Sequence, residues 1–248
     1  MEAGIFIPCF IDQLFPETGM SMVKVLKRAR VKALYNPEQT CCGQIAFNAG
    51  FRDEAKHVAE KFIRDFSQFK YVVGPSASCI GMVKNYYPQM FDNSALHNEN
   101  RYLGRKIFEF TDFLVNVAKV ENLGCHFEAK ITFHDSCAAL REYGLKDEPR
   151  RLLANVKGLE IVEMNHRDVC CGFGGTFAVK HEAISTAMAE QKVKNALDTG
   201  AQYIVSTEAS CLMHLDGYIK RNNLPIQTLH IADLLAMGLK EEQTTTVS

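Results

Sequence analysis

Short apolar, β-branched runs alternate with longer segments in which apolar residues recur at helical spacing. In the first half this pattern predicts strands near 4–8, 31–35, 70–74 and 106–109, with helices near 20–33, 52–67, 79–87 and 110–119. In the second half it predicts strands near 130–134, 159–163, 202–206 and 226–229, with helices near 148–156, 180–198, 209–221 and 231–237. Short strands separated by helical patterns point to βαβ units and a mostly parallel sheet.

The pattern is written twice. Tyr71-Val72-Val73-Gly74-Pro75-Ser76-Ala77-Ser78 runs into Cys79, and Tyr203-Ile204-Val205-Ser206-Thr207-Glu208-Ala209-Ser210 runs into Cys211. Ile107-Phe108-Glu109-Phe110-Thr111-Asp112-Phe113-Leu114 is echoed by Thr228-Leu229-His230-Ile231-Ala232-Asp233-Leu234-Leu235. The expected fold class is α/β, built as two pseudo-repeated halves over 1–122 and 123–240, each a small sheet flanked by helices. Residues 241–248 form a polar tail.

Composition agrees with a folded, water-soluble chain. Of 248 residues, 47% are hydrophobic and 23% charged, which excludes a disordered polymer. With 28 basic and 29 acidic residues the net charge is −1, so no global field draws the chain to nucleic acid or anionic lipid. Near the start, the apolar run from Gly4 to Ile11 is interrupted by Pro8 and preceded by Glu2. It makes neither a secretory signal nor a membrane span, and the expected location is the cytoplasm.

The cysteines change the picture. There are nine, an odd number and too sparse for a disulfide scaffold. Eight fall into the repeat: Cys9, Cys41, Cys42 and Cys79 are matched in order by Cys137, Cys170, Cys171 and Cys211. Each set contains a Cys-Cys-Gly triplet, closed by Gly43 or Gly172, and Cys125 alone has no counterpart. On the predicted elements Cys9 and Cys137 end strands, while Cys79 and Cys211 lie just past strands, where helices begin. All eight therefore gather at the carboxyl ends of the sheets, where ligands of open α/β sheets bind and helix N-termini favour thiolates. The two glycines would permit positive φ or close approach to a bulky ligand. The expected arrangement is a metal site in each half, facing a shared cleft.

Four thiols per half leave three chemistries open: an iron–sulfur cluster, zinc, or a dithiol redox centre. Structural zinc usually takes chelating pairs separated by a few residues, whereas these pairs are adjacent. Neighbouring side chains in extended backbone diverge, which suits a wide polynuclear cluster better than one zinc ion.

The motif Cys-x31-Cys-Cys-Gly with a further cysteine downstream, present twice with near-equal spacing, resembles the cysteine-rich CCG domain family. That family includes the cysteine-rich subunit of heterodisulfide reductase, the glycolate oxidase iron–sulfur subunit and the lactate utilization proteins. The stretch Cys170-Cys171-Gly172-Phe173-Gly174-Gly175-Thr176-Phe177 is most similar to the lactate utilization branch. The resemblance implies the iron–sulfur subunit of an NAD-independent L-lactate dehydrogenase complex, transferring electrons as L-lactate is oxidised to pyruvate. It implies two partners, a ferredoxin-like iron–sulfur subunit and a third lactate utilization subunit, without which the chain is inactive. It implies a 4Fe–4S cluster in one or both halves, or zinc in one half, held by the eight repeat cysteines. In the heterodisulfide reductase branch a repeat closes with Cys-x-x-Cys; here Ser76 and Glu208 stand at the first of those positions. Four thiolates per half suit a 4Fe–4S site rather than that branch's non-cubane double cluster. The alternatives are a zinc-binding assembly module and a thiol–disulfide reductase.

Other candidates are weaker. Arg141, Arg150, Arg151 and Arg167 could pair a substrate carboxylate, but a solvated surface role is the default. His134 and Asp135 could act as base or proton carrier, against the commoner reading of a hydrogen-bonded histidine at a strand end. Lys24, Lys27, Arg28, Arg30 and Lys32 read as the solvated face of a helix. Gly172-Phe173-Gly174-Gly175 has neither the P-loop lysine nor dinucleotide spacing, and no flavin or nicotinamide motif is recognised.

Overall fold

A computed structural model describes residues 1–92 and 94–239; the polar tail lies outside the described residues. Parallel strands form two four-stranded sheets of the same topology. In the first, β1 (Glu2–Ile5), β2 (Lys32–Tyr35), β3 (Val72–Gly74) and β4 (Ile107–Glu109) run in the order β2-β1-β3-β4. In the second, β5 (His126–Phe133), β6 (Lys157–Ile161), β7 (Tyr203–Ser206) and β8 (Gln227–His230) run in the order β6-β5-β7-β8. The α/β repeat read from the sequence is what the chain folds into. Register matches as well: Ile5 stands opposite Val73, and Phe133 opposite Val205.

Helices form where apolar spacing and end signals coincide. Pro16–Arg28 starts on proline, which suits the first turn because its missing N–H is an orphan there anyway, and ends on Lys27 and Arg28. It stops short of the predicted 33 because Arg30 turns the chain at φ 59° into β2, where Lys32 pairs with Glu2. The basic run is therefore split between helix, turn and strand, and Arg28 points its Nε at the carbonyl of Leu123 (2.9 Å), tying the halves together. Arg52–Phe66, Glu182–Leu197, Ala209–Arg221 and Ile231–Gly238 lie close to their predicted ranges. The segments 79–87 and 110–119 instead break into short α-turns followed by wider π-turns, Met82–Tyr86 and Phe113–Val117. Cys9–Leu14, Gln44–Ala49, His97–Lys106 and the π-turn Ala138–Tyr143 are further helical segments that the apolar pattern did not signal.

One apolar core joins the halves. Met22, Val25 and Leu26 meet Phe110, Phe113, Phe133, Leu234 and Leu235 in a single buried cluster, and Thr18 donates to Asp233 across it (2.7 Å). Each sheet's outer face has its own core, aromatic around Phe6, Phe62 and Phe66 in the first half and aliphatic around Val193, Ile204 and Leu215 in the second. No helix among the described residues is long and apolar enough to cross a membrane.

The echoed segments end both fourth strands on a side-chain cap. Glu109 accepts from the N–H groups of Thr111 (2.7 Å) and Asp112 (3.1 Å), and His230 accepts from that of Ala232 (3.2 Å). Glu109 is fully buried, and burial pushes its carboxyl up to about 8 against the pull of these hydrogen bonds. In the unfolded chain it titrates at 4.5. Between those values the folded chain keeps a proton that the unfolded chain has lost. The contribution of Glu109 to stability is therefore full below about pH 4.5, declines through the window and levels off above about pH 8. Glu109→Gln keeps an acceptor and removes the titration. Urea unfolding should show a flatter pH dependence for the variant, with an advantage above pH 8 on the order of 1–4 kcal/mol. Parallel pH profiles for the two proteins would contradict this.

Candidate metal centre

Backbone geometry delivers the eight repeat cysteines to one place. β1 ends at Ile5 and β5 at Phe133, so Cys9 and Cys137 do not end strands; they sit beyond them, at the start of helical turns. Pro8 (ψ 147°), with no N–H to offer a ladder, sets the first exit. In the second half Asp135 is drawn away by Arg150, whose two terminal nitrogens bind its two oxygens at 2.8 and 2.9 Å. Cys79 and Cys211 lie in the first turns of Ala77–Gly81 and Ala209–Arg221, as expected. The paired cysteines occupy loops that turn at Gly43 (φ 81°) and Gly172 (φ 97°). A Cβ on Gly172 would come within 2.6 Å of the Ser185 carbonyl oxygen, so only glycine fits.

All eight line a single cavity of about 490 Å³ between the halves. Both cysteines of each adjacent pair line it, because the loop turns at the following glycine rather than running on extended. Cys9 Sγ lies 3.5 Å from Cys41 Sγ, and Cys137 Sγ lies 4.0 Å from Cys170 Sγ. Of these eight, Cys42, Cys171 and Cys211 are buried and the other five half-buried; all nine cysteines are free. Tyr87 holds the first loop by donating to the Cys42 carbonyl (2.9 Å).

Proximity divides the thiols into strong and weak acids. Cys41 is lowered to about 3 by the thiols of Cys42 and Cys9, aided by the Gly43 N–H 3.3 Å from its sulfur. Cys170 falls to about 2 beside Cys137 and Cys171, with the Gly172 N–H at 3.4 Å. Cys211 is lowered by Cys171, His134 and Ser136. Their partners Cys9, Cys42, Cys137 and Cys171 are raised by the same sulfur contacts and by burial. Soft sulfur donors, several poised as thiolates around one cavity, fit an iron–sulfur cluster or zinc. Cys125 sits apart in the shared core, its thiol 3.3 Å from the Leu235 carbonyl and pushed up to about 11 by burial.

The departure from Cys-x-x-Cys turns out to be a junction. Ser76 Oγ lies 3.2 Å from both carboxylate oxygens of Glu208, which also accept from the Ser78 N–H (3.0 Å) and the Ser210 hydroxyl (3.1 Å). Glu208 is thus bonded across the halves, and burial raises its carboxyl to about 7. The two residues hold equivalent repeat positions, which was the signal that they could meet. The arginines do not face the cavity. Arg150 is spent on Asp135 and Glu163, Arg167 on the same two acids, Arg151 on Glu121, and Arg141 on the Asp168 carbonyl. The His134 backbone is bonded as a strand-end histidine's would be, while its buried ring has no nitrogen or oxygen partner among the described residues and faces the Cys211 thiol, whose acidity it strengthens.

In air, thiols this close should oxidise. Metal-free protein handled aerobically is expected to form Cys9–Cys41 first and Cys137–Cys170 second, each losing two hydrogens. Non-reducing peptide mass mapping checks this. Linkage of Cys125 in place of these pairs would contradict the geometry.

The model of the CCG cysteine-rich domain matches this chain twice, at residues 3–84 and 131–216. Lactate utilization protein A 2 of Bacillus cereus strain Q1 is 41% identical over 242 residues, covering 97% of this chain and 100% of that protein. Lactate utilization protein A 1 of Bacillus mycoides strain KBAB4 is 42% identical over 242 residues, covering 97% and 99%. A hypothetical protein of Helicobacter pylori shares the fold, with a TM-score of 0.59 at 12% identity over 98% of this chain and 50% of that one. The chain belongs to the CCG cysteine-rich domain family and, within it, to the lactate utilization protein A group.

Proposed function

We propose that this chain is the iron–sulfur subunit of a lactate utilization complex, carrying electrons as L-lactate is oxidised to pyruvate. The observation behind the reading is the convergence of eight free thiols on one cavity between two matched sheets. The names of its relatives supply the substrate. In this reading the repeat 1–122 contributes Cys9, Cys41, Cys42 and Cys79 to one 4Fe–4S cluster, and the repeat 123–240 contributes Cys137, Cys170, Cys171 and Cys211 to a second centre. Such clusters, when bound, supply one-electron transfer. The Gly43 and Gly172 N–H groups stabilise the thiolates of Cys41 and Cys170, and the Ser76–Glu208 junction fixes the halves relative to each other. Ile45 and Val179, both exposed, form an apolar rim at the cavity mouth suited to the ferredoxin-like and third subunits. The complex would work in the cytoplasm.

A second reading, zinc in the second half, is favoured by one observation: His134, Cys171 and Cys211 place three donor atoms within 4.8 Å of one another. Iron, zinc and acid-labile sulfide analysis of anaerobically purified protein tests both. Iron and sulfide in comparable amounts, with a brown chromophore, are expected. Zinc alone in both halves would replace the redox reading with an assembly module, and absence of metal would leave a thiol–disulfide reductase.

A further inference from the structure

We propose that His134 is a nitrogen donor to the metal of the second half, so that the two repeats hold chemically different centres, one all-sulfur and one mixed. This rests on the reading of Cys171 and Cys211 as metal ligands.

The repeat itself isolates the feature. The Phe6 N–H donates to the Val73 carbonyl at 2.9 Å, and the His134 N–H donates to the Val205 carbonyl at 2.8 Å, so the two residues occupy one backbone slot in two copies. In the first copy that slot is hydrocarbon. Phe6 meets Phe62 and Phe66 edge-on, with ring centroids 4.8 and 5.7 Å away. In the second copy the slot holds an imidazole with no solvent exposure and no nitrogen or oxygen partner among the described residues at either ring nitrogen, its polar neighbours being the thiols of the site. Buried polar side chains are nearly always partnered, and an exception calls for a ligand or a strain. Here the ring nitrogen lies within 4.8 Å of both Cys171 Sγ and Cys211 Sγ.

The surroundings hold the ring there. The His134 carbonyl accepts from the Ser206 hydroxyl at 3.0 Å, and Arg150 clamps the next residue, Asp135. With metal–sulfur bonds of about 2.3 Å and metal–nitrogen bonds of about 2.0–2.1 Å, tetrahedral donors stand roughly 3.6–3.8 Å apart, so the three close by up to about 1 Å when a metal binds. Were His134 to stand in for one of the four thiolates, with Cys171 and Cys211 retained, the neutral imidazole would remove negative charge from the centre and raise its reduction potential, as histidine ligation does in iron–sulfur proteins. With iron in both halves, the first would be the donor and the second the acceptor.

The test loads anaerobic, metal-free full-length chain with Zn²⁺ alone and records the zinc K-edge absorption fine structure. Wild type, His134→Ala, His134→Gln and a Cys9→Ser/Cys42→Ser variant that empties the first half are compared. Imidazole scattering is expected in wild type, enriched in the double-serine variant and lost in both His134 variants. Their second-half zinc affinity should drop roughly tenfold or more. Zinc held in the second half of wild type by sulfur alone overturns the inference while leaving the cysteine assignment intact. No zinc in that half of wild type overturns both. Where a His134 variant fails to fold, the wild-type and double-serine spectra decide between these outcomes.

Discussion

Serine at Cys41, Cys42 or Cys79 should strip the metal and its chromophore from the first half while leaving the second half loaded; serine at Cys125 should change neither. All four substitutions are nearly isosteric, so they probe ligation rather than packing. Cys41, Cys42 and Cys79 line the cavity, and the neighbouring thiols hold Cys41 well below the usual thiol range. A hydroxyl there is a hard, neutral donor that does not ionise at neutral pH, and soft metals discriminate against it strongly. Cys125 lies in the core shared by the halves, with only the Leu235 carbonyl for a polar partner. A serine hydroxyl can keep that hydrogen bond, so the effect on stability should stay within about 1 kcal/mol. Metal and sulfide content per chain, with thermal unfolding as the control for folding, reads both outcomes. Equal metal loss in the Cys125→Ser protein would remove the basis for the eight-cysteine assignment.

The repeat carried most of what could be read in advance. Val72-Val73 and Ile204-Val205 are buried on both faces, so their strands stand out as β-branched runs, and the helix Ala209–Arg221 lies where its periodicity puts it. The missed segments are short or polar. His97–Lys106 buries only Asn100, Leu103 and Lys106, too sparse a stripe to register as a helix. The π-turns Met82–Tyr86 and Phe113–Val117 stretch the helical repeat locally and blur its period. At the site, the cysteines were legible because a repeated Cys-Cys-Gly is visible in one dimension. The bond between Ser76 and Glu208 and the buried ring of His134 were not, because each depends on which chain segments face each other. His134 differs from its counterpart Phe6 by a polar ring in an apolar slot, a difference that alignment of the two halves exposes but only burial makes meaningful.

Steady-state oxidation of L-lactate with an artificial electron acceptor should be far slower for this chain alone than for the same chain in its reconstituted complex. Lactate is an anion, and recognising its carboxylate calls for arginine, lysine or a row of backbone donors. No arginine or lysine stands among the described residues lining the cavity, where Glu142 and Glu208 add acid to the thiols. Of the arginines that the sequence offered, Arg150, Arg151 and Arg167 are paired to Asp135, Glu163 and Glu121, and Arg141 donates to the Asp168 carbonyl. On the proposed reading, the two electrons and two protons released as lactate becomes pyruvate would be handled where another subunit completes the substrate site, with this chain taking electrons one at a time. A net charge of −1 gives little electrostatic steering, so activity of the mixed subunits should depend only mildly on salt. Equal turnover per chain, alone and in the complex, would identify this chain as the whole enzyme and refute the subunit assignment.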